Sequence, residues 1–143
     1  MKRVTVDMAA QATGLFDVHR FCQRTKAERE SAWHAFRALG VGGSDMSTIL
    51  GLNPYSTPYD LWLEKTNRQQ PEDISGKWAI VKGNALENEL RKRFRAQHPE
   101  MIVTDGTDKQ FISREKTYLR ASLDGILQKE DGSFGILEIK TAG

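Results

Sequence analysis

Apolar residues recur at helical spacing in three parts of the chain, and each part carries a start signal or a stop signal. Thr25 is followed three residues later by Glu28, and Thr57 by Asp60, and both pairs have the pattern of a capping box. The third segment has Leu86, Leu90 and Phe94 at intervals of four, which is typical of an amphipathic helix. The predicted helices span residues 26–39, 58–66 and 84–97.

Shorter alternating segments in the last third of the chain predict β-strands. Residues 101–104 and 110–113 flank the turn Asp105-Gly106 and predict one hairpin. A second hairpin is predicted from the alternation of Leu119, Ala121 and Leu123, with residues 134–140 as its returning arm. Helices followed by a run of antiparallel strands predict an α+β domain with helices flanking a central mixed or antiparallel sheet. We expect residues 1–24 to form an extended arm or a short helix, and residues 25–143 to form a single domain.

The length of the second hairpin's turn decides which side chains share a face, because side chains alternate along a strand. A two-residue turn would place Asp124 and Glu138 on opposite sides of the sheet. A three-residue turn at Glu130-Asp131-Gly132, with its glycine left-handed, pairs Lys129 with Ser133 and puts Asp124 across from Glu138. We adopt the three-residue turn as the prediction.

In that register Asp124, Glu138 and Lys140 share one face, while Leu137 and Ile139 point to the core. Opposed carboxylates repel each other, so the arrangement favours a divalent cation between them. Mg²⁺ prefers carboxylate and water oxygens, and Mn²⁺ can substitute for it. Lys140 could then orient the attacking water or offset charge on a phosphate. The alternative interpretation is a solvated strand face with an ordinary ion pair.

Composition removes several other classes of protein. The net charge of +2 does not by itself indicate nucleic-acid binding. The single cysteine, Cys22, cannot form an internal disulfide, and the three histidines lack metal-ligand spacing, so a zinc site is not supported. Neither a secretory signal nor a run of about 18 apolar residues is present, which favours a cytoplasmic location.

A glycine-rich stretch at residues 40–45 precedes a short helical pattern at Met46, Ile49 and Leu50. Such a loop can offer backbone N–H groups to an anion, although it can equally be a flexible turn with Ser44 as a helix cap. On the third predicted helix a basic cluster could contact backbone phosphates, or simply face solvent. Its members are Arg91, Lys92, Arg93 and Arg95.

Four motifs in order resemble those of one nuclease group. The sequence S-x-D-G at Ser122–Gly125 followed by E-x-K at Glu138–Lys140 resembles the active-site signature of the PD-(D/E)XK nucleases. Among them, the chain is most similar to the phage lambda-type exonucleases, or YqaJ-like viral recombinases. The other matching motifs are Trp33-His34 with Arg37, Val41–Asp45, and Gly83-x-x-Leu86-Glu87.

The resemblance implies a restriction-endonuclease-like fold and a magnesium-dependent 5′ to 3′ exonuclease on double-stranded DNA ends, acting in phage-type recombination. It implies metal ligation by Asp124, Glu138 and the backbone carbonyl of Ile139, with Glu87 as a secondary carboxylate and Lys140 near the nucleophile. It also implies that Arg37 and Ser44 hold a terminal 5′-phosphate. Ser122, two residues before Asp124 and expected on the same strand face, is a third phosphate candidate.

Further expectations follow from the same resemblance. They are a partner single-strand-annealing protein, a ring-shaped homotrimer, and a location in the bacterial or phage-infected cell. The family's next helix and strand do not follow Lys140, so we expect a core that is truncated after the E-x-K strand. The alternatives are a restriction-like endonuclease or nickase on the same scaffold, and a non-catalytic DNA-binding or assembly module.

Overall fold

A computed structural model describes residues 6–141 of the chain. Within them the chain divides into two compact units, each built from separate stretches. The first unit comprises residues 6–12, 72–107 and 123–141, and the second comprises residues 13–71 and 108–122. The single domain expected over residues 25–143 stays a prediction.

The local capping signals place two of the predicted helices correctly. Thr25 accepts a hydrogen bond from the Glu28 N–H, and the Glu28 side chain accepts one from the Thr25 N–H, which completes the capping box. These bonds lower the pKa of the Glu28 carboxyl. Thr57 and Asp60 repeat the arrangement. The helices are α1 (Val6–Thr13), α2 (Lys26–Ala38), α3 (Met46–Ile49), α4 (Pro58–Lys65) and α5 (Trp78–Gln97), with a 3-10 turn at Gly43–Asp45 before α3.

Helix α5 begins six residues earlier than the predicted start at Asn84. The prediction was wrong because Gly83 was treated as a boundary, whereas it lies inside the helix. One interior glycine costs a helix only about 1 kcal/mol relative to alanine. A Cβ built at Gly83 would lie 3.6 Å from Thr141 Oγ1, so the helix passes close to the chain just beyond Lys140.

Each unit contains a three-stranded antiparallel sheet. The first unit holds the order β2-β5-β6, and the second holds β1-β3-β4. The α+β class is therefore confirmed, with two small sheets in place of one central sheet. The strands are β1 (Phe16–Arg20), β2 (Ile102–Asp105), β3 (Lys109–Ser113), β4 (Arg120–Ala121), β5 (Gly125–Gln128) and β6 (Phe134–Leu137).

The hairpin predicted from residues 101–104 and 110–113 does not form, although both segments are strands. β2 pairs with β5, whereas β3 pairs with β1 and β4. A Cβ at Gly106 would lie 1.7 Å from the Leu123 carbonyl oxygen, so this glycine admits another segment of backbone and does not serve a hairpin turn. β1 also places part of the expected N-terminal arm inside a sheet.

The turn of the second hairpin is confirmed as three residues. Gly132 has a φ of 81°, and the Lys129 N–H donates to the Ser133 carbonyl over 2.9 Å. The predicted first arm is not continuous, however, because β4 ends at Ala121 and β5 starts at Gly125. These two short strands belong to different sheets, and residues 122–124 between them are outside both.

The fully buried apolar side chains are few for a chain of this length. Trp33 is only half-buried, and no residue of α2 is fully buried. Leu137 is buried and Ile139 half-buried, in agreement with their predicted inward face. The buried apolar residues are Val6, Ala9, Ala10, Phe21, Phe111, Ile126 and Leu137.

Candidate functional site

Asp124 lies immediately before β5 and is held through both its backbone and its side chain. Its carbonyl oxygen accepts a hydrogen bond from Arg91 Nε at 2.9 Å and a longer one from the Gly106 N–H at 3.4 Å. Its carboxylate oxygen Oδ2 accepts the Ile139 N–H at 2.6 Å. These contacts fix the half-buried carboxylate at the open end of the hairpin.

Two glycines allow the backbone around Asp124 to pack closely. A Cβ at Gly125 would lie 2.7 Å from the Thr104 carbonyl oxygen, and the Cβ at Gly106 would overlap the Leu123 backbone. Cβ atoms are essentially never found that close to a backbone oxygen, so any larger residue would displace the strand. The position of Asp124 therefore depends on glycine at both sites.

Glu138 stands across the hairpin from Asp124. Gly125 and Leu137 are the last paired residues, and Asp124 and Glu138 are the next residues on their two arms, which the bond from the Ile139 N–H to Asp124 Oδ2 joins. Lys140 Nζ lies 2.5 Å from Glu138 Oε1. The pKa of Lys140 is raised, first by its bond to Glu138 and further by the negative charges of Glu138 and Asp124. The predicted grouping of two carboxylates with one ammonium is present.

Glu87 lies on α5 and is paired with Arg91 one turn along the helix. Gly83, Glu87 and Arg91 are four residues apart, which places them on one face of the helix. That face runs beside the hairpin's open end, because Gly83 approaches Thr141 and Arg91 contacts Asp124. The carboxylate from the helix and those from the hairpin therefore belong to the same unit.

Arg91 is a functional candidate that sequence reasoning assigned wrongly. It was grouped with solvent-facing or phosphate-binding residues, but its side chain is only 3% exposed and also meets Asp105 Oδ2 at 3.4 Å. The rest of the cluster is dispersed: Lys92 pairs with Glu89, and Arg95 donates to the Val103 carbonyl. The spacing Glu87-x-x-x-Arg91 was the one local signal for a paired arginine.

The carboxylates at the hairpin end have oxygens available for a cation. Asp124 uses Oδ2 and Glu138 uses Oε1 in the bonds described, while Oδ1 of Asp124 and Oε2 of Glu138 have no hydrogen-bond partner in residues 6–141. Two hard oxygen donors suit Mg²⁺, which normally keeps water and substrate phosphate as its other ligands. Within the same residues no three side chains of His, Cys, Asp or Glu form a metal-binding group. The donor set thus fits a site completed by substrate and water.

Arg37 and Ser44, two of the three phosphate candidates, are brought together in the second unit. Arg37 Nη2 donates a hydrogen bond to Ser44 Oγ. The guanidinium also lies over the Trp33 ring, with Cζ 5.2 Å from the ring centroid. Ser44 is exposed and Arg37 half-buried, so the pair is accessible to a ligand.

The glycine-rich loop beside this pair is organised by Asp45. The Asp45 carboxylate accepts the Gly42 N–H at 3.0 Å and forms an ion pair with Lys65 at 3.0 Å. One backbone donor expected to face an anion is therefore occupied by the protein itself. Gly40 serves packing, since a Cβ there would lie 2.5 Å from the Tyr118 carbonyl oxygen.

Ser122, the third phosphate candidate, is exposed and is the last residue of the second unit. The argument that it shares a strand face with Asp124 is wrong, because neither residue lies in a strand. The alternation of side chains applies only within regular strand backbone. Its role as a phosphate contact stays a prediction, as does metal ligation by the Ile139 carbonyl.

None of the helices in residues 6–141 combines the length and the apolar character needed to cross a bilayer.

Comparison with known proteins identifies the family. The chain is 37% identical over 111 residues to the uncharacterized protein YqaJ of Bacillus subtilis strain 168, an alignment covering 76% of this chain and 32% of that protein. It is 46% identical over 48 residues to protein D345L of African swine fever virus strain Badajoz 1971, covering 34% of this chain and 14% of that one. The chain thus spans at most about a third of these relatives.

No solved structure matches the chain significantly. The family model for the YqaJ-like viral recombinase domain matches residues 32–143, which include all the candidate site residues. The chain therefore belongs to the YqaJ-like viral recombinase family.

Proposed function

We propose that the chain is the core of a magnesium-dependent DNA nuclease that hydrolyses phosphodiester bonds. The observation that carries the proposal is that the open end of the hairpin brings together Asp124, bonded to the Ile139 N–H, and Glu138, which contacts Lys140. Membership of a recombinase family supports DNA as the substrate. A PD-(D/E)XK type of core, with Mn²⁺ able to replace Mg²⁺, is part of the same proposal.

Asp124 and Glu138 would hold the cation, together with the Ile139 carbonyl. A bound Mg²⁺ supplies charge stabilisation at the phosphate and makes water a better nucleophile at neutral pH. The Ile139 N–H keeps the Asp124 carboxylate from rotating. Lys140 is protonated at neutral pH, and its bond to Glu138 raises its pKa further, so its ammonium can orient the attacking water or offset negative charge on the phosphate oxygens. Glu87 is a secondary carboxylate on the neighbouring helix.

The proposed activity is a 5′ to 3′ exonuclease on double-stranded DNA ends. Metal-assisted hydrolysis is indifferent to position along DNA, so direction requires an anion site that only a terminal phosphate can fill. Arg37 can bind phosphate with two parallel N–H groups, and Ser44 already accepts one of its hydrogen bonds. Ser122 is the third proposed contact.

The wider setting is proposed on the family alone. The enzyme would prepare single strands for phage-type recombination in the cytoplasm of a bacterial or infected cell. A single-strand-annealing protein is the proposed partner, and a ring-shaped trimer is the proposed assembly.

A gel assay on linear duplex with 5′-phosphates, with and without Mg²⁺, tests the proposal. We expect nucleotides to be released from the labelled 5′ end only when Mg²⁺ is present. A closed circular duplex is the control, and its cleavage would indicate an endonuclease or nickase. Binding of DNA without any product in Mg²⁺ or Mn²⁺ would instead indicate a non-catalytic module.

A further inference from the structure

Among the residues that the structure describes, Arg91 is the one charged residue that is fully buried, with only 2% of its surface exposed. Burying a guanidinium is unfavourable unless its charge and its N–H groups are matched by nearby acceptors. The acceptors that compensate for the burial of the guanidinium therefore identify the groups that Arg91 holds in place.

Those contacts reach three elements at once. Nε donates to the Asp124 carbonyl at 2.9 Å, Nη2 pairs with Glu87 on α5, and Nη1 meets Asp105 at the end of β2 at 3.4 Å. The guanidinium is planar, and its five donors have fixed directions. One rigid group thus sets the position of the Asp124 backbone relative to the Glu87 carboxylate.

We propose that Arg91 is a positioning residue that holds Asp124 and Glu87 in the orientation needed for metal-dependent hydrolysis. The proposal rests on the nuclease function proposed above. Arg91 fixes the backbone of Asp124, and the Ile139 N–H fixes its carboxylate. The position of the carboxylate therefore depends on both hydrogen bonds. Loss of the first would let the carboxylate move even if the second remained.

Arg95 provides a natural comparison on the same helix. It lies one turn after Arg91 and donates from Nη2 to the Val103 carbonyl at 3.1 Å, so it too ties α5 to β2. Unlike Arg91, it is exposed and none of its described contacts involves a candidate carboxylate. A general requirement for docking α5 on the sheet would involve both arginines, whereas positioning of Asp124 involves Arg91 alone.

The test compares Arg91→Lys with Arg95→Lys in the full 143-residue chain. Lysine keeps the charge beside Glu87 and Asp105, so the fold is preserved, but a single ammonium cannot hold the Asp124 carbonyl, Glu87 and Asp105 in the fixed directions of a guanidinium. Three readouts are measured. They are amide hydrogen exchange at Ile139 and Gly106, which both donate to Asp124, the kinetics of Mg²⁺-dependent cleavage, and a Mn²⁺ titration of the DNA-free protein.

For Arg91→Lys we expect faster exchange at Ile139 and Gly106, with the Val103–Leu127 strand pair still protected. We expect kcat to fall by about 10- to 100-fold, because small misplacements of a catalytic group have effects of that size, while KM for DNA stays within about twofold. The concentration of Mn²⁺ that half-saturates the DNA-free protein should also rise. Arg95→Lys should leave the exchange rates, kcat, KM and the Mn²⁺ half-saturation concentration unchanged.

Unchanged exchange in Arg91→Lys would overturn the proposal, as would local loosening with an unchanged kcat. Equal effects in both variants, or loss of protection throughout the first unit, would make Arg91 a purely structural residue. If the unmutated chain cleaves no DNA, the nuclease proposal fails. In that case the exchange data and the Mn²⁺ titration still decide whether Arg91 positions Asp124.

Discussion

The backbone N–H of Ile139 and the carboxylate of Asp124 are joined by a 2.6 Å hydrogen bond across the open end of a hairpin. One carboxylate oxygen is thereby fixed, and the other is left available. An asparagine at position 124 can still accept this hydrogen bond through its amide oxygen, but it lacks the negative charge. The substitution Asp124→Asn therefore keeps the contribution of this hydrogen bond to the fold and removes the negative charge needed for catalysis.

We predict that Asp124→Asn and Glu138→Gln each reduce Mg²⁺-dependent cleavage to background while leaving DNA binding within about twofold, because contacts to phosphates elsewhere supply most of the affinity. Cleavage assays and binding titrations on the same duplex measure the two effects. Thermal melting provides the control for folding. Normal turnover in either variant would remove that residue from the site.

Lys140 is predicted to contribute to rate and not to folding, because its side chain is 82% exposed. Lys140→Met should slow cleavage by about 10- to 1000-fold, the range expected for loss of one electrostatic contact in the transition state. The melting temperature should stay within about 2 °C, since exposed ion pairs contribute little to stability. A lower melting temperature with an unchanged rate would contradict the assignment.

The pH dependence of the Lys140 interaction has a definite sign. Its pKa in the folded chain is raised above the ordinary value of 10.5, so the ammonium binds its proton more tightly in the folded state. The stabilising interaction with Glu138 is therefore complete below pH 10.5 and is lost as the pH rises through the higher folded value. The melting temperatures of the unmutated chain and Lys140→Met should therefore converge as the pH rises through that alkaline range.

Arg37 and Ser44 are predicted to distinguish chemically different DNA ends. A 5′-phosphorylated duplex should be degraded faster than a 5′-hydroxyl duplex, and Arg37→Ala should narrow the difference by slowing only the phosphorylated substrate. Lys26→Ala is the matched control, because Lys26 is an exposed cation on the same helix and its ion pair within residues 6–141 is with Glu30. Equal rates of degradation of the two duplexes by the unmutated chain would rule out a 5′-phosphate site at Arg37 and Ser44.

Two glycines of the hairpin should respond differently to alanine. A Cβ at Gly125 would lie 2.7 Å from the Thr104 carbonyl oxygen, so Gly125→Ala should lower the free energy of unfolding by about 1–3 kcal/mol, as overpacking does. At Gly135 the nearest atom would be 3.8 Å away, at ordinary van der Waals distance. Gly135→Ala should therefore be nearly neutral. Denaturant unfolding measures both, and equal effects would contradict the close contact.

Features encoded by neighbouring residues could be predicted from the sequence. The capping boxes at Thr25 and Thr57 and the turn ending at Gly132 involve groups within a few positions of each other. The turn length fixes the strand register up to the pair Gly125–Leu137, directly before Asp124 and Glu138 on the two arms. The family resemblance implied that Arg37 and Ser44 hold the same phosphate, and the structure joins the two side chains by a hydrogen bond.

Features that depend on distant partners were missed. β2 pairs with β5 and not with its neighbour β3, and nothing in residues 101–113 alone specifies that choice. Arg91 meets the Asp124 carbonyl 33 positions away, so its burial has no local signature beyond the spacing to Glu87. Helix α5 continues through Gly83 because the surrounding turns outweigh the cost of one glycine.

The interleaving of the two units affects how this sequence can evolve. The chain passes from one unit to the other after residues 12, 71, 107 and 122, so neither unit is encoded by one continuous stretch. A single crossover at one of these passages between related genes would leave at least one unit with segments from two parents. We therefore expect one block of sequence to be inherited together, and this block contains both the pair Arg37–Ser44 and the pair Asp124–Glu138. Compensating substitutions between the segments of each unit should accompany divergence within the family.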